Sequence, residues 1–339
     1  MEAALKLNSN PPVGAGDGGA EAPAAYTLTD LGAAPDSAPL LPVALNDAGQ
    51  AAVHGHPARR ADGEDLFSGF LWQDGLLRFA AASAGRPPVA ALGGSGLLAG
   101  HRRMHTPVMR AWASHLGVFG AERWRATESC AAGVNAAGEV AGYVVADVNG
   151  VARRRAFWIS AGGVVQFLDP VPGGGAQAVA INDRGDVLVN AGNSAVADMD
   201  SRAWLWQDGR FHQVGGPGAG RLWGTALTAE GRVAGRALTL SGQLHAFLWA
   251  DGVLHDLNPD PDCESEALAA NDHGVVVGRC VGPGGSDPPS GGRAPAACAT
   301  CGTSCRRPRA GVSRARWRST PEAGLRAWAR KPAVRAASC

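Results

Sequence analysis

Ala180-Ile-Asn-Asp-Arg-Gly-Asp186 decides the fold, because it is one of six copies. The others are Ala44-Leu-Asn-Asp-Ala-Gly-Gln50, Ala91-Leu-Gly-Gly-Ser-Gly-Leu97, Gly133-Val-Asn-Ala-Ala-Gly-Glu139, Ala226-Leu-Thr-Ala-Glu-Gly-Arg232 and Ala269-Ala-Asn-Asp-His-Gly-Val275. Each is a short apolar run ending in a turn. Asn and Asp start turns by bonding nearby backbone, and Gly takes the positive φ that closes a short hairpin. The candidate turn glycines are Gly49, Gly96, Gly138, Gly185, Gly231 and Gly274, stepping by 47, 42, 47, 46 and 43 residues. A period held over five steps marks a repeat array.

A second motif alternates with the first: Gly69-Phe-Leu-Trp72, Arg110-Ala-Trp112, Ala156-Phe-Trp158, Ala203-Trp-Leu-Trp206 and Ala246-Phe-Leu-Trp249. Three copies run into Gln73-Asp-Gly75, Gln207-Asp-Gly209 or Ala250-Asp-Gly252, strong signals for a two-residue hairpin. Two hairpins per unit give four antiparallel strands, the content of a propeller blade. The expected fold is all-β, a propeller of six four-stranded blades with seven as the alternative and the last blade incomplete. Trp72, Trp112, Trp158, Trp206 and Trp249 are expected in the blade cores, where aromatic rings supply large buried area.

Spacing locates the variable loops. From each Trp to the next turn glycine the gaps are 24, 26, 27, 25 and 25, whereas from turn glycine to Trp they are 23, 16, 20, 21 and 18. Length therefore varies between the second and third strands. A ligand site is expected on the face of those longer connections, around the central channel.

Composition agrees with a β-rich chain. The 339 residues include 48 glycines, 45% are hydrophobic, and the net charge is +1. That charge hides an asymmetry, since residues 281–339 hold ten Arg and one Lys against Asp287 and Glu322. Three domains follow: an N-terminal Gly/Ala/Pro segment at 1–25 read as disordered, a repeat domain at 26–280, and a basic Arg/Pro/Cys-rich tail at 281–339. The tail shows neither motif. Its composition fits an out-of-frame reading of a GC-rich gene, a disordered basic extension or a small module. No apolar run reaches membrane-spanning length, and no signal peptide is legible at the start. The sixth unit breaks off after Arg279, where a third strand should follow. Tyr26-Thr-Leu-Thr-Asp-Leu-Gly32 looks like a fourth strand placed ahead of the first unit. It is expected to complete the last blade and close the ring.

These repeats resemble the HAF repeat family of extracellular bacterial proteins. The resemblance rests on Ile181-Asn-Asp-Arg-Gly185 and its copies, on His245-Ala-Phe-Leu-Trp249 and its copies, and on Thr29-Asp-Leu-Gly32. It covers 26–280 and implies a propeller-like fold and an extracellular or cell-surface location. It assigns no catalytic residue, cofactor or metal ligand.

Other motifs favour scaffold over chemistry. Gly14-Ala-Gly-Asp-Gly-Gly19 follows no strand and opens no helix, as a phosphate loop must. Ser95 sits between glycines on a repeat turn, but Leu97 stands where a nucleophile elbow needs its closing Gly. His54 and His56, with Asp62, Glu64 and Asp65, could approach a metal from one connection, although a solvated loop accounts for them. His101 and His105 would need a helix to converge. Cys298, Cys301 and Cys305 lack a fourth ligand. The Asn-Asp-x-Gly carboxylates lack the oxygen density of a calcium loop. The expectation is a non-enzymatic scaffold without cofactor, binding carbohydrate or protein rather than a specific nucleic acid. A metal-dependent hydrolase or lactonase-type propeller and a non-functional truncated copy are the alternatives.

Overall fold

All six Asn-Asp-x-Gly-type segments fold as turns, with the glycine amide donating to the carbonyl three residues back. The six turn glycines adopt φ between 74° and 83°, a region costly for any residue with a Cβ. In four turns the Asn side chain also accepts from the amide four residues on: Gln50, Glu139, Asp186 and Val275. At the second kind of turn, Asp74, Asp208 and Asp251 have φ near 50° and are followed by positive-φ glycines. This is the mirror-image turn that matches strand twist.

The computed structural model describes residues 40–281 apart from 56–57, 60–62, 104–107, 120–123, 125, 172–173, 193–200, 217 and 259–263. It also describes 27–28, 31–32, 298–300 and 329–330. The described residues form five antiparallel four-stranded meanders and a three-stranded sixth sheet. Blade one comprises Leu40–Leu45, Ala51–Gly55, Asp65–Gln73 and Leu76–Ala84, with Ala58–Arg59 added beside the third strand. Blade two comprises Val89–Leu92, Leu98–Arg102, Arg110–Ala113 and Gly117–Phe119. Blade three comprises Ala126–Val134, Val140–Val148, Val151–Ile159 and Val165–Leu168. Blade four runs through Gly175–Ile181, Val187–Gly192, Arg202–Gln207 and Arg210–Gln213. Blade five runs through Leu222–Leu227, Val233–Leu238, Leu244–Ala250 and Val253–Asp256. Blade six holds Glu264–Ala270, Val276–Val281 and Cys298–Thr300. From blade one to blade six, each first strand lies against the first strand of the next blade. First strands are therefore innermost, and the architecture is a β-propeller.

The core lies between blades. Phe157, Val140 and Val144 of blade three pack on Ala99, Ala111 and Ala113 of blade two. Leu168, Ala141 and Ala156 of blade three pack on Val187, Val189 and Trp206 of blade four. Leu188 and Val214 of blade four meet Leu222, Val233 and Phe247 of blade five. Alternating strand residues thus face the preceding and the following blade in turn.

Every first strand carries a β-bulge at one place, between Pro42 and Ala44, Val89 and Ala91, Ala131 and Gly133, Ala178 and Ala180, Gly224 and Ala226, and Ala267 and Ala269. The bulge bends a carbonyl over the second strand. At Gly142 a Cβ would sit 2.1 Å from the Cys130 carbonyl oxygen, so only glycine fits.

Three sequence expectations need correction, and the structure adds one distinction. The Trp residues are not equivalent. Trp72, Trp206 and Trp249 share one register position, which Ile159 fills in blade three. Trp158 and Trp112 fall one and two residues earlier, opposite Ala141 and Gly100, and a one-residue step reverses the face. Trp112 and Trp206 are buried, and the other three are half-buried against the core. Blade three has no long connection between its second and third strands. It has a projecting hairpin closed by Asn149-Gly150, both at positive φ. Blade six does not stop at Arg279, because Cys298–Thr300 pairs with Val276–Gly278 in the third-strand slot. Finally, Thr27–Leu28 pairs with Ala329–Arg330 as a separate two-stranded sheet, not with Cys298–Thr300. The remaining tail and the 1–25 segment lie outside the described residues.

Candidate functional site

In a meander of this kind the tight turns gather at one end. The blade-to-blade connections and the second-to-third-strand connections emerge at the other. A cleft of about 270 Å3 opens at that second end, across blades one to three. Gly85 and Arg86 come from the connection between blades one and two. Arg103 leaves the second strand of blade two, Met109 precedes its third, and Thr127 and Glu128 begin blade three.

Arg103 is held in place. Its amide donates to Ser83 Oγ at 3.0 Å, its Nε to the Ala84 carbonyl at 3.3 Å, and its guanidinium pairs with Glu64. Thr127 Oγ1 donates to the Val145 carbonyl at 3.2 Å, tying the cleft wall to the projecting hairpin. Arg86 is exposed, and neither it nor Glu128 has an ion-pair partner among the described residues. The cleft therefore offers one unpaired cation and one unpaired carboxylate.

Behind it runs a file of buried and half-buried polar side chains. His54 Nε2 accepts from the Val89 amide at 3.2 Å, which places the ring proton on Nδ1. His101 Nδ1 lies 3.5 Å from Cys130 Sγ, and Cys130 sits opposite Tyr143 in the ladder. The Arg154 guanidinium stacks 5.0 Å from the Tyr143 ring centre and donates to Gln177 Oε1 at 2.8 Å. Burial first, then the Arg86 charge and His54, hold the His101 pKa down to about 4. Burial, reinforced by Glu128, pushes the Cys130 thiol up to about 12. The Tyr143 phenol is likewise raised to about 12, by burial and then by Cys130 and Glu128. A thiolate is the nucleophilic form of cysteine. Here a thiol faces a neutral imidazole, so the Cys–His contact is not an activated pair.

The register explains the file. His54, His101, Tyr143, Asn190, Arg236 and Arg279 each stand five residues after a turn glycine, at one position of the second strand. In blades one to five that position faces the next blade, whereas Arg279 of blade six bonds Glu266 of its own blade. Asn190 bonds both the amide and carbonyl of Gly224, at 2.9 and 2.8 Å, and Arg236 reaches Glu266 at 3.5 Å. Sequence reasoning singled out His54 and His101 but missed Tyr143, Arg86, Arg103 and Glu128. Aligning the units on their turn glycines would have exposed the polar column. Arg86 and Arg103 lie in connections and Glu128 at the start of a strand, at positions without a shared pattern.

The remaining sequence candidates do not converge. Glu64 serves Arg103, Asp65 opens a strand, and Ser95 lies in a turn. His56, Asp62, His105, Cys301, Cys305 and Gly14–Gly19 lie outside the described residues. Among the described residues no three His, Cys, Asp or Glu side chains gather as a metal site would require. His245 Nδ1 and Asp256 Oδ2 meet at 2.8 Å. In blade three Arg155, at the His245 position, likewise reaches Asp169 just past the fourth strand at 2.7 Å, so the pair acts as a strap between the third strand and the outer strand's end.

Fold and cleft together define a β-propeller with a polar opening at its long-connection end. No protein-family model matches the chain, and no curated protein matches it in sequence. Among solved structures, it is similar to the β-propeller domain of the trilobed protease from Pyrococcus furiosus. That match has TM-score 0.48 and 12% identity, over 73% of this chain and 78% of that one. It is also similar to the acylaminoacyl peptidase of Pyrococcus horikoshii (TM-score 0.45, 12% identity, 72% of this chain), of which the match spans 43%. TolB from Acinetobacter baumannii gives TM-score 0.40 and 13% identity over 74% of this chain and 62% of TolB. These likenesses concern the fold alone, which the sheet topology defines independently.

Proposed function

We propose that this propeller is a non-enzymatic binding scaffold whose ligand sits in the cleft across blades one to three. The observation that carries the proposal is Arg86 and Glu128, without ion-pair partners among the described residues, flanking one opening in front of the half-buried His101 and the buried Cys130 thiol. Opposite charges at a polar mouth suit a hydroxyl-rich ligand that both donates and accepts hydrogen bonds, so carbohydrate is the preferred class. Binding to a panel of mono- and oligosaccharides, followed by calorimetry with Arg86→Ala and Glu128→Gln, tests this. Loss of a measured affinity in both variants, with the fold intact, is the expected result. A panel without binders, or affinity indifferent to both substitutions, rejects the site.

The repeat resemblance supports placing the protein among extracellular or cell-surface HAF repeat proteins. Fractionation of cells expressing the full-length gene tests the location, and recovery only from the cytoplasm would defeat it. Stoichiometric metal in the purified protein would favour a metal-dependent hydrolase instead.

A further inference from the structure

The projecting hairpin of blade three outruns the outer strand of its own blade. In blade one the outer strand follows the third to its end, with Leu66 opposite Ala84 and the Gly85 amide donating to the Asp65 carbonyl. In blade four the Val214 amide still reaches the Ala203 carbonyl, next to that strand's start at Arg202. In blade three the outer strand ends at Leu168, opposite Ala156. Among the described residues, no strand therefore lies along the outer side of Val151 to Arg155.

The sequence explains the early stop. Continuing the register would set Pro170 opposite Arg154, and proline has no amide to donate. By Val171 the chain packs against the core between blades three and four.

Hydrogen bonding shows which backbone groups face out. Along an antiparallel strand, residues turn their N–H and C=O to one neighbour and then to the other. Ser160 donates its amide to the Val164 carbonyl, on the side of the outer strand. Ala152 and Arg154, an even number of residues earlier, therefore turn N–H and C=O outwards. Val145, opposite Arg154, agrees, because its carbonyl turns inwards and accepts from Thr127 Oγ1. Val151 and Ala152 are exposed, so this edge is open to solvent.

The side chains on the edge carry one sign. Arg153, Arg154 and Arg155 are consecutive, and alternation places Arg154 on one face and the other two on the opposite face. Arg155 is answered by Asp169. Arg154 stacks on Tyr143 and donates to the neutral Gln177. Arg153 Nη1 is buried without a hydrogen-bond partner. Among the described residues, neither Arg153 nor Arg154 meets a carboxylate. An extended peptide pairs its main chain with such an edge and places alternate side chains on each face. Carboxylates there would meet the guanidinium groups in charge-assisted bonds.

We propose that the outer edge of Val151–Arg155 is a docking site for an extended acidic segment of a partner protein, which adds a strand in line with Val165–Leu168. The site lies two strands out from Thr127 and Glu128 of the cleft, and it does not depend on what the cleft binds.

A fluorescein-labelled octapeptide alternating glutamate and threonine tests this by anisotropy on the full chain. Saturable binding is expected, with new hydrogen-exchange protection at Ala152 and Arg154. An octapeptide alternating lysine and threonine should not bind. Arg153→Glu and Arg154→Glu should each weaken binding by about tenfold or more. Ala152→Pro should do the same while leaving the circular dichroism unchanged, since proline is tolerated where a strand amide faces solvent. Absence of binding to the native protein overturns the proposal, because the arginines then only guard the edge against chance pairing. Equal binding of a peptide N-methylated at alternate residues also overturns it, since charge alone would then hold the peptide. So does dimerisation in sedimentation that Ala152→Pro abolishes, because a second copy of the chain then takes the edge.

Discussion

Trp158 and Trp206 meet across the interface of blades three and four with ring centres 5.4 Å apart and planes tilted by 46°. Their motifs align them as copies of one position, yet Trp158 faces forward to blade four and Trp206 faces back to blade three. A single-residue offset turns two repeats of a pattern into the two halves of a contact. Trp206→Ala should cost about 3–5 kcal/mol by opening a cavity. A double-mutant cycle with Trp158→Ala should show coupling of about 0.5–1.5 kcal/mol. Urea unfolding of the four proteins measures both, and zero coupling would mean the rings pack independently.

Gly142→Ala should destabilise more than an alanine at Gly150. The first faces a backbone carbonyl that the bulge holds in place, and the second only strains a surface turn with open space around it. We expect about 2–3 kcal/mol against about 1 kcal/mol. Equal midpoint shifts in thermal unfolding would show that the bulge yields.

Asn182 carries the longest chain of turn contacts. It donates to Asp186 Oδ2 and to the Thr228 and Ala229 carbonyls, and accepts the Asp186 amide. Asn182→Ala should cost about 2–4 kcal/mol, because it strands buried partners as well as losing bonds. Asn182→Asp should be worse, with a carboxylate facing Asp186 and two carbonyl oxygens. Stability in the order wild type, Ala, Asp is the expected readout from denaturant midpoints, and an Asp variant above Ala would refute the account.

Acid should weaken the fold through the buried histidines. The folded-state pKa of His101 is lowered to about 4, and that of His54 is lowered too, both chiefly by burial. Below pH 6.5 the unfolded chain takes up protons that the folded chain refuses. Stability is therefore full above pH 6.5 and falls as pH drops towards 4, by up to about 1.4 kcal/mol per unit through His101, with His54 adding in the same direction. Unfolding midpoints measured from pH 7.5 to 4.5 should show this slope, and His101→Asn should flatten it. An unchanged slope in that variant would acquit His101.

Cys130 should resist alkylation. Its proton is held by burial and by Glu128, and the thiolate is the reacting species. Iodoacetamide at pH 8 followed by peptide mapping should leave Cys130 unmodified until denaturant is added. Rapid modification in the native protein would mean that the blade-two to blade-three interface opens.

By itself, the sequence determined the repeating unit, with six copies of its first turn. Asn-Asp-x-Gly and Asp-Gly are local devices, since a turn's backbone demands are met within four residues, so the repeat period and the turn glycines were legible without any fold. It did not show which partners those residues serve. Asn182 looked like a turn former and also proved to be a staple to the neighbouring turn. The column of His54, His101, Tyr143, Asn190 and Arg236 looked like scattered polar residues until register placed each on the face towards the next blade. The offset of Trp158, the bulge that requires Gly142, and the gathering of Arg86, Arg103 and Glu128 were decided by tertiary structure alone. Strand side chains alternate faces residue by residue, so one bulge or one shifted residue changes which blade a side chain meets. No local pattern carries that information.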